Sequence, residues 1–272
     1  MWAALVCVSA LCNALWTALS QRRIRETSAI SFAIAFRGAT ALILLPFFIC
    51  GFELPKQPLF WAALIGSGLR EGVQVVLLSA GVRRDYYATY SMYNTAPLFI
   101  ILLGPRALHE RVGLWLVVGA VLIVGGGLTF YRVGGFSTHG LLCAVLSAIG
   151  AILNKMALWY STWLFFPFAQ FVIAVTVLLP WGLRGRRRRD LRATVRRPGA
   201  LLLMALLSSL AAIAYYSALQ VTPATRVAPL WRINLLFAFF ISYFMLGERE
   251  DWQYRLAGGA LILVGCVLVS VG

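Results

Sequence analysis

Apolar residues arrive in runs of about 20, long enough to cross a bilayer as helix, and charge is confined to the gaps between them. A chain patterned this way folds only where most of its side chains avoid water. Composition agrees. Of the 272 residues 61% are hydrophobic and 12% charged, with a mean hydropathy of +0.84, against roughly 45–50% and 25% in soluble domains. Nine Asp and Glu are too few to coat a 30 kDa globule in water. A soluble enzyme is excluded. Disorder is disfavoured, and so is a β-barrel, which would alternate over about ten residues. The expected fold is an all-α polytopic membrane protein with a single domain over 1–272, integral to the lipid bilayer of the cell (inner) membrane.

Charge, proline and glycine divide the chain into ten spans: 2–20, 29–51, 59–81, 87–105, 113–131, 139–159, 162–183, 199–219, 225–246 and 254–271. Connections are short except between spans 7 and 8, so neighbouring helices pack antiparallel. Met1 leads into the first run with no basic leader and no small-residue cleavage site, which reads as a retained helix. Cys7, Cys12, Cys50, Cys143 and Cys266 all lie in apolar runs without CxxC spacing or a neighbouring His cluster, so they read as packing residues and no metal site is expected.

The chain repeats itself at an offset of 138. Ser9-Ala10 recurs as Ser147-Ala148, Ser79-Ala80 as Ser217-Ala218, Leu98-Phe99 as Leu236-Phe237 and Glu110-Arg111 as Glu248-Arg249. After two further residues the offset becomes 140, where Gly119-Ala120 matches Gly259-Ala260 and Val124-Gly125 matches Val264-Gly265. A duplication therefore gives two five-helix repeats, 1–136 and 137–272. Five is odd, so the second copy enters the membrane with opposite polarity, the inverted arrangement of alternating-access transporters.

Ala96-Pro97-Leu98, His109-Glu110-Arg111 and Gly119-Ala120 through Gly125 in the first half resemble the drug/metabolite transporter superfamily, in its EamA-type ten-helix branch. In the second half Tyr215-Tyr216-Ser217-Ala218-Leu219, Leu246-Gly247-Glu248 and Gly258-Gly259-Ala260 carry the same resemblance, and Arg37 resembles an arginine many members have early in their second helix. The sequence departs from the family pattern at Leu235, where the offset from Pro97 would place proline, and at His109, where a glycine customarily precedes the glutamate. The resemblance implies export or exchange of a small-molecule substrate between the halves, driven by a gradient such as a coupling proton or a counter-substrate. The cargo ranges over amino acids, sugars, nucleotide conjugates and drugs.

Net charge is +15, and eight Arg meet a single Asp190 between Arg184 and Arg197. With no folded module around it, this run reads as a loop facing anionic headgroups rather than nucleic acid. Loops after odd-numbered spans carry sixteen Lys and Arg against five after even-numbered spans. The positive-inside tendency makes loop 184–198 cytoplasmic and puts both termini outside, the reverse of what the family resemblance implies.

Arg37, Arg70, Glu71 and Arg232 remain inside spans, where charge is costly and marks function until a structural role is found. Ser67, Glu71 and Gln74 share a stripe, from which Arg70 departs by about 100°. Glu71 reads as a proton-coupling carboxylate or substrate ligand, or as a salt-bridge partner of Arg37 or Arg232. Arg232, with Trp231, Asn234 and nearby Pro229, is the leading substrate site. A guanidinium beside an indole can grip a carboxylate or phosphate while the ring stacks on the remainder, although a pair with Glu71 would also satisfy it. Tyr90, Tyr93, Asn94 and Pro97 share a face of span 4, and Asn94 is the counterpart of Arg232 at the 138 offset. Asn13 and Trp16 lie on a span 1 stripe with Ser9 and Ser20, answered by Ser147 and Asn154. Tyr215, Tyr216 and Gln170 complete the polar set, and interhelical hydrogen bonding is an alternative role for all of these. Trp61, Trp115, Trp159 and Trp252 near span ends read as an interfacial belt.

Gly125-Gly126-Gly127 and Gly258-Gly259 follow no strand and contain no GK[ST], so they read as helix packing and no cofactor is expected. There is no Walker motif, HExxH or GxSxG, which leaves neither an ATP-driven pump nor a membrane enzyme as the reading. A channel or structural partner is the alternative of another class. Three intramembrane Arg against one Glu favour an anionic or zwitterionic metabolite over the alternative, a drug or cation. Oligomeric state is left open.

Overall fold

Proline, serine and aspartate set the helix boundaries of the computed structural model, which describes residues 1–131, 135–196, 198–245 and 251–271. The first repeat contains α1 (Trp2–Glu26), α2 (Ala29–Cys50), α3 (Pro58–Arg84), α4 (Tyr86–Tyr93), α5 (Ala96–Leu108) and α6 (Leu114–Phe130). The remainder contains α7 (Thr138–Leu158), α8 (Phe166–Gly182), α9 (Gly185–Val195), α10 (Pro198–Val221), α11 (Ala224–Leu230), α12 (Asn234–Phe240) and α13 (Trp252–Val271). Ser28, Asp85 and Ser137 cap α2, α4 and α7 by accepting from the N–H of Ser31, Ala88 and Gly140, which satisfies first-turn donors that would otherwise be orphaned. Among the described residues there is no strand. Six helices, α1, α2, α3, α7, α10 and α13, are long and apolar enough to cross a membrane, while α6 and α8 are apolar at 17 residues each.

The two remaining spans are broken helices: span 4 is α4 plus α5, and span 9 is α11, a 3-10 turn at Trp231–Ile233, α12 and a π turn at Ile241–Met245. Span 9's final motif, Leu246-Gly247-Glu248, and the repeat pair Glu248-Arg249 lie outside the described residues. His109, at the end of α5, has φ +54°. This left-handed conformation favours glycine and accounts for the residue customary there in the family the sequence resembles.

The helices pair as an inverted duplication requires. α6 and α13, the fifth helices of the two halves, run antiparallel through their glycines. A Cβ on Gly119 would stand 2.7 Å from the Gly265 carbonyl oxygen, and one on Gly126 would stand 2.6 Å from that of Gly258. Only side-chain-free positions allow this approach. α3 packs on α7, and the equivalent pair in the other half, α10 on α1, packs likewise.

The basic segment differs from the expected loop, because Gly185–Val195 is helical. No proline or glycine interrupts it after Gly185, and Arg is a good helix former, so charge density alone did not prevent a helix. Cys12, Cys143 and Cys266 are buried as packing residues, whereas Cys50 is exposed. Trp61, Trp115, Trp159 and Trp252 are all exposed.

Candidate functional site

Both broken helices open at the same place in their repeats. α4 ends at Tyr93 and α5 starts at Ala96, with Asn94 and Thr95 between, while α11 ends just before the turn centred on Arg232. Pro97 follows Asn94 by three residues and Pro229 precedes Arg232 by three. Each proline lacks the N–H that would bond the preceding turn, so the duplicated helices lose their regular ladder from opposite sides of one point. Interrupted helices near the middle of an inverted repeat are where transporter sites form.

At that point Arg232 Nη1 donates to Asn94 Oδ1 at 3.3 Å, and Asn94 Nδ2 donates to the Tyr90 carbonyl at 2.8 Å. The guanidinium carbon lies 4.4 Å from the Tyr93 ring centroid and 5.7 Å from that of Trp231. Arg232 is 3% exposed and its Nε has no hydrogen-bond partner. Among the described residues no carboxylate lies within ion-pair distance of it. α6 leaves room for this arrangement at Gly127, where a Cβ would stand 3.1 Å from Asn94 Cβ.

A second charged centre adjoins the first. Glu71 Oε1 accepts from Arg37 Nη2, and Oε2 accepts from Arg70 Nη1 at 2.9 Å. Arg70 Nη1 also donates to Gln74 Oε1 at 2.8 Å, and Gln74 Nε2 donates to the Tyr93 hydroxyl at 3.3 Å. Gln74 and Tyr93 thus connect Glu71 to Arg232. The expected divergence of Arg70 from Glu71 does not hold. The 100° step fixes where a side chain starts, and a four-bond arm ending in a fork can return to its neighbour. The Glu71–Arg232 pair does not form either, because Arg37 and Arg70 occupy both carboxylate oxygens. Three guanidinium groups against one carboxylate leave this region at 3 − 1 = +2.

Further hydrogen bonds tie the surrounding helices. Gln170 Nε2 donates to Ser67 Oγ at 2.6 Å, Ser67 donates to Asn154, and the Tyr216 hydroxyl donates to Gln170 Oε1. Asn234 Nδ2 donates to Asn13 Oδ1 at 3.1 Å, leaving Asn234 Oδ1 without a partner. Trp231 Nε1 donates to Ser9 Oγ at 3.2 Å, and Trp16 packs on Phe36 with centroids 4.6 Å apart.

These groups border one cavity of about 310 Å³. Asn13, Trp16, Glu71, Gln74, Tyr90, Tyr93, Tyr216, Trp231, Arg232 and Asn234 line it, while Asn94 stands behind Arg232. Sequence reasoning passed over Tyr86 and Tyr131, which also line it. Tyr131 is stacked 5.9 Å from Tyr90, and Tyr86 lies 4.7 Å from Tyr90. Both stand at span ends, where aromatic residues read as interfacial anchors.

The cavity reaches the centre of the bundle from one side. Its outer lining includes Ser20 on α1, Phe32 on α2, Val82 on α3 and Tyr86 on α4, all near helix ends on the side of the bundle where α9 packs on the start of α2. The opposite ends are sealed by apolar packing, with Phe48 centred 5.0 Å from Phe165 and 4.3 Å from Phe168, and by two polar clamps on the turn between α10 and α11. Lys155 Nζ donates to the carbonyls of Leu219, Gln220 and Thr222 at 2.7, 3.3 and 3.0 Å. Glu110 accepts from the N–H of Ala224 and Thr225 at 2.7 and 2.9 Å and from the Thr225 hydroxyl at 2.7 Å. Each clamp places charge where the helix dipole favours it.

The model of the EamA-like transporter family matches residues 1–132 and again 138–271. No curated protein matches the chain. A solved crystal structure 12% identical to it superposes with a TM-score of 0.74, covering 98% of this chain and 96% of that one, and so shares its fold. Matched in two copies over nearly its whole length, the chain belongs to the EamA-like transporter family, whose members carry small molecules across membranes.

Proposed function

We propose that the protein is a secondary active transporter that carries a small anionic or zwitterionic metabolite through the cavity between its repeats by alternating access. The observation behind this reading is Arg232, a buried cation that borders the cavity without a carboxylate partner among the described residues. A buried charge is costly until paired, and a bound anion supplies the pair. The Tyr93 and Trp231 rings hold the guanidinium in place and offer apolar surface to the rest of the ligand.

Glu71 serves in this reading as the hub that positions Arg37 and Arg70, which take both of its oxygens. A hydrophobic cation is disfavoured by the +2 around the cavity. A channel is disfavoured by the closed end at Phe48, Phe165 and Phe168. The charge of α9 argues for the cytoplasmic side, which would make this the inward-open form.

A thermal-unfolding screen of the detergent-purified protein against amino acids, organic acids, sugar phosphates and quaternary amines tests this. A ligand raises the midpoint in proportion to RT ln(1 + [L]/Kd). Stabilisation by an anion or zwitterion that disappears in Arg232→Ala supports the reading. Stabilisation by quaternary amines alone, or an equal response in Arg232→Ala, overturns it.

A further inference from the structure

The arginine-rich helix α9 docks through its one acid and a few neutral groups and leaves its arginines exposed. Its one acid turns inward, where Asp190 Oδ2 accepts from the Ser28 N–H at 3.3 Å at the start of α2. The Arg187 carbonyl accepts from Ser31 Oγ at 2.9 Å on the same side, Thr194 is buried, and Leu191 packs against the cluster that holds Phe32 and Phe36. The seven arginines between Arg184 and Arg196 are all exposed, and none has an ion pair or side-chain hydrogen bond among the described residues. Against these seven guanidinium groups α9 sets the single carboxylate of Asp190, so a large positive excess remains.

The level at which this charge sits identifies what meets it. α9 is joined directly to the ends of two membrane helices, α8 and α10, and packs on both. Trp181 and Leu183 just before it and Val195 at its end are 49%, 50% and 54% exposed, an apolar fringe of the kind that lies at the boundary of hydrocarbon and headgroups. Arginine forks at that depth face phosphodiester oxygens, whose geometry they match in paired hydrogen bonds.

We infer that α9 is a binding surface for anionic phospholipid headgroups, which hold the helix against the start of α2 at the mouth of the cavity. Lipid bound there bears on transport through α2, because Phe32, Phe36 and Arg37 of that helix line the cavity.

The test compares thermal unfolding of the full chain in detergent supplemented with phosphatidylglycerol or with phosphatidylcholine, for the wild type and for R186Q/R188Q/R189Q/R192Q. These substitutions leave Asp190, Leu191 and Thr194 untouched. The expected result is a higher midpoint with phosphatidylglycerol than with phosphatidylcholine in the wild type, a difference that shrinks in about 0.5 M salt, where screening acts within a few ångströms, and that is lost in the variant. An equal difference in both proteins overturns the inference, as does stabilisation by inorganic phosphate or an oligonucleotide alone, which would assign the arginines to soluble anions. A second measurement keeps the arginines intact: fluorescence quenching by brominated phosphatidylglycerol or brominated phosphatidylcholine in nanodiscs, comparing the wild type with Trp181→Phe. Stronger quenching of the Trp181 contribution by the anionic lipid is expected, and equal quenching by the two overturns the inference.

Discussion

Asn94 and Arg232 meet at 3.3 Å and stand 138 positions apart, the same offset that aligns the two halves of the sequence. Residues that are each other's counterparts in a duplicated structure can touch only close to the axis relating the copies. The hydrogen bond therefore marks that axis. It also marks the break in both interrupted helices, and one of its members is charged while the other is neutral.

Replacing Arg232 with Ala is expected to remove most of the stabilisation by an anionic ligand. Arg232→Lys keeps the charge and loses the fork, so it should retain weaker binding. A charged hydrogen bond contributes about 1.5–3 kcal/mol, so the Ala variant should bind roughly 10- to 100-fold more weakly. Titrated midpoint shifts measure this, and an unchanged affinity in Arg232→Ala would remove the arginine from the site.

Glu71→Gln should be among the most destabilising single substitutions in the bundle. It leaves Arg37 and Arg70 facing each other with no counter-charge, a situation that costs about 3–5 kcal/mol when one partner of a buried pair is removed. Chemical denaturation in detergent would read the loss. A change smaller than about 1 kcal/mol would show that water already screens the pair.

The glycines of α6 give an internal control. Gly126→Ala puts a methyl 2.6 Å from the Gly258 carbonyl oxygen, whereas at Gly125 nothing lies within 4 Å. Overpacking typically costs about 1–3 kcal/mol, so Gly126→Ala should lower the unfolding midpoint and Gly125→Ala should leave it unchanged or slightly raised. Equal effects at the two positions would contradict the close antiparallel contact with α13.

Glu110 crosses from the first repeat to the second, so it must release α11 if the sealed end is to open. In a chain freed of its native cysteines, Ala228→Cys places a thiol on the cavity wall. Labelling by a membrane-impermeant maleimide applied to the sealed face should be slow, and should rise several-fold on adding Glu110→Ala. An unchanged rate would mean that the apolar packing around Phe165 holds that end shut unaided.

Much of this architecture was legible in the sequence because a duplication leaves paired residues at a constant offset and because bilayer-spanning helices need long apolar runs. The convergence of Asn94 and Arg232 at the candidate site was legible for the same reason. What escaped depends on reach and on neighbours. Periodicity gives the direction of Cβ but not of a guanidinium three bonds further out, so Arg70 was placed away from Glu71. Charge density suggested a loop at 184–198, while docking on Ser28 and Ser31 makes it a helix. Tyr86 and Tyr131 became cavity residues only once α4 and α6 were packed together. Pro97 and Pro229 each lack a backbone donor, but only their placement on opposite sides of equivalent residues shows that both helices break at one point.

The pairing of a neutral and a cationic residue on the axis has a consequence for the passenger. Under the proposed alternating access the halves would exchange conformations while the positive charge stays with the second half. An anion held at Arg232, with its body along the tyrosines toward the mouth, would therefore not turn over as the openings exchange. Its charged end would go in first and, at the far side, come out first.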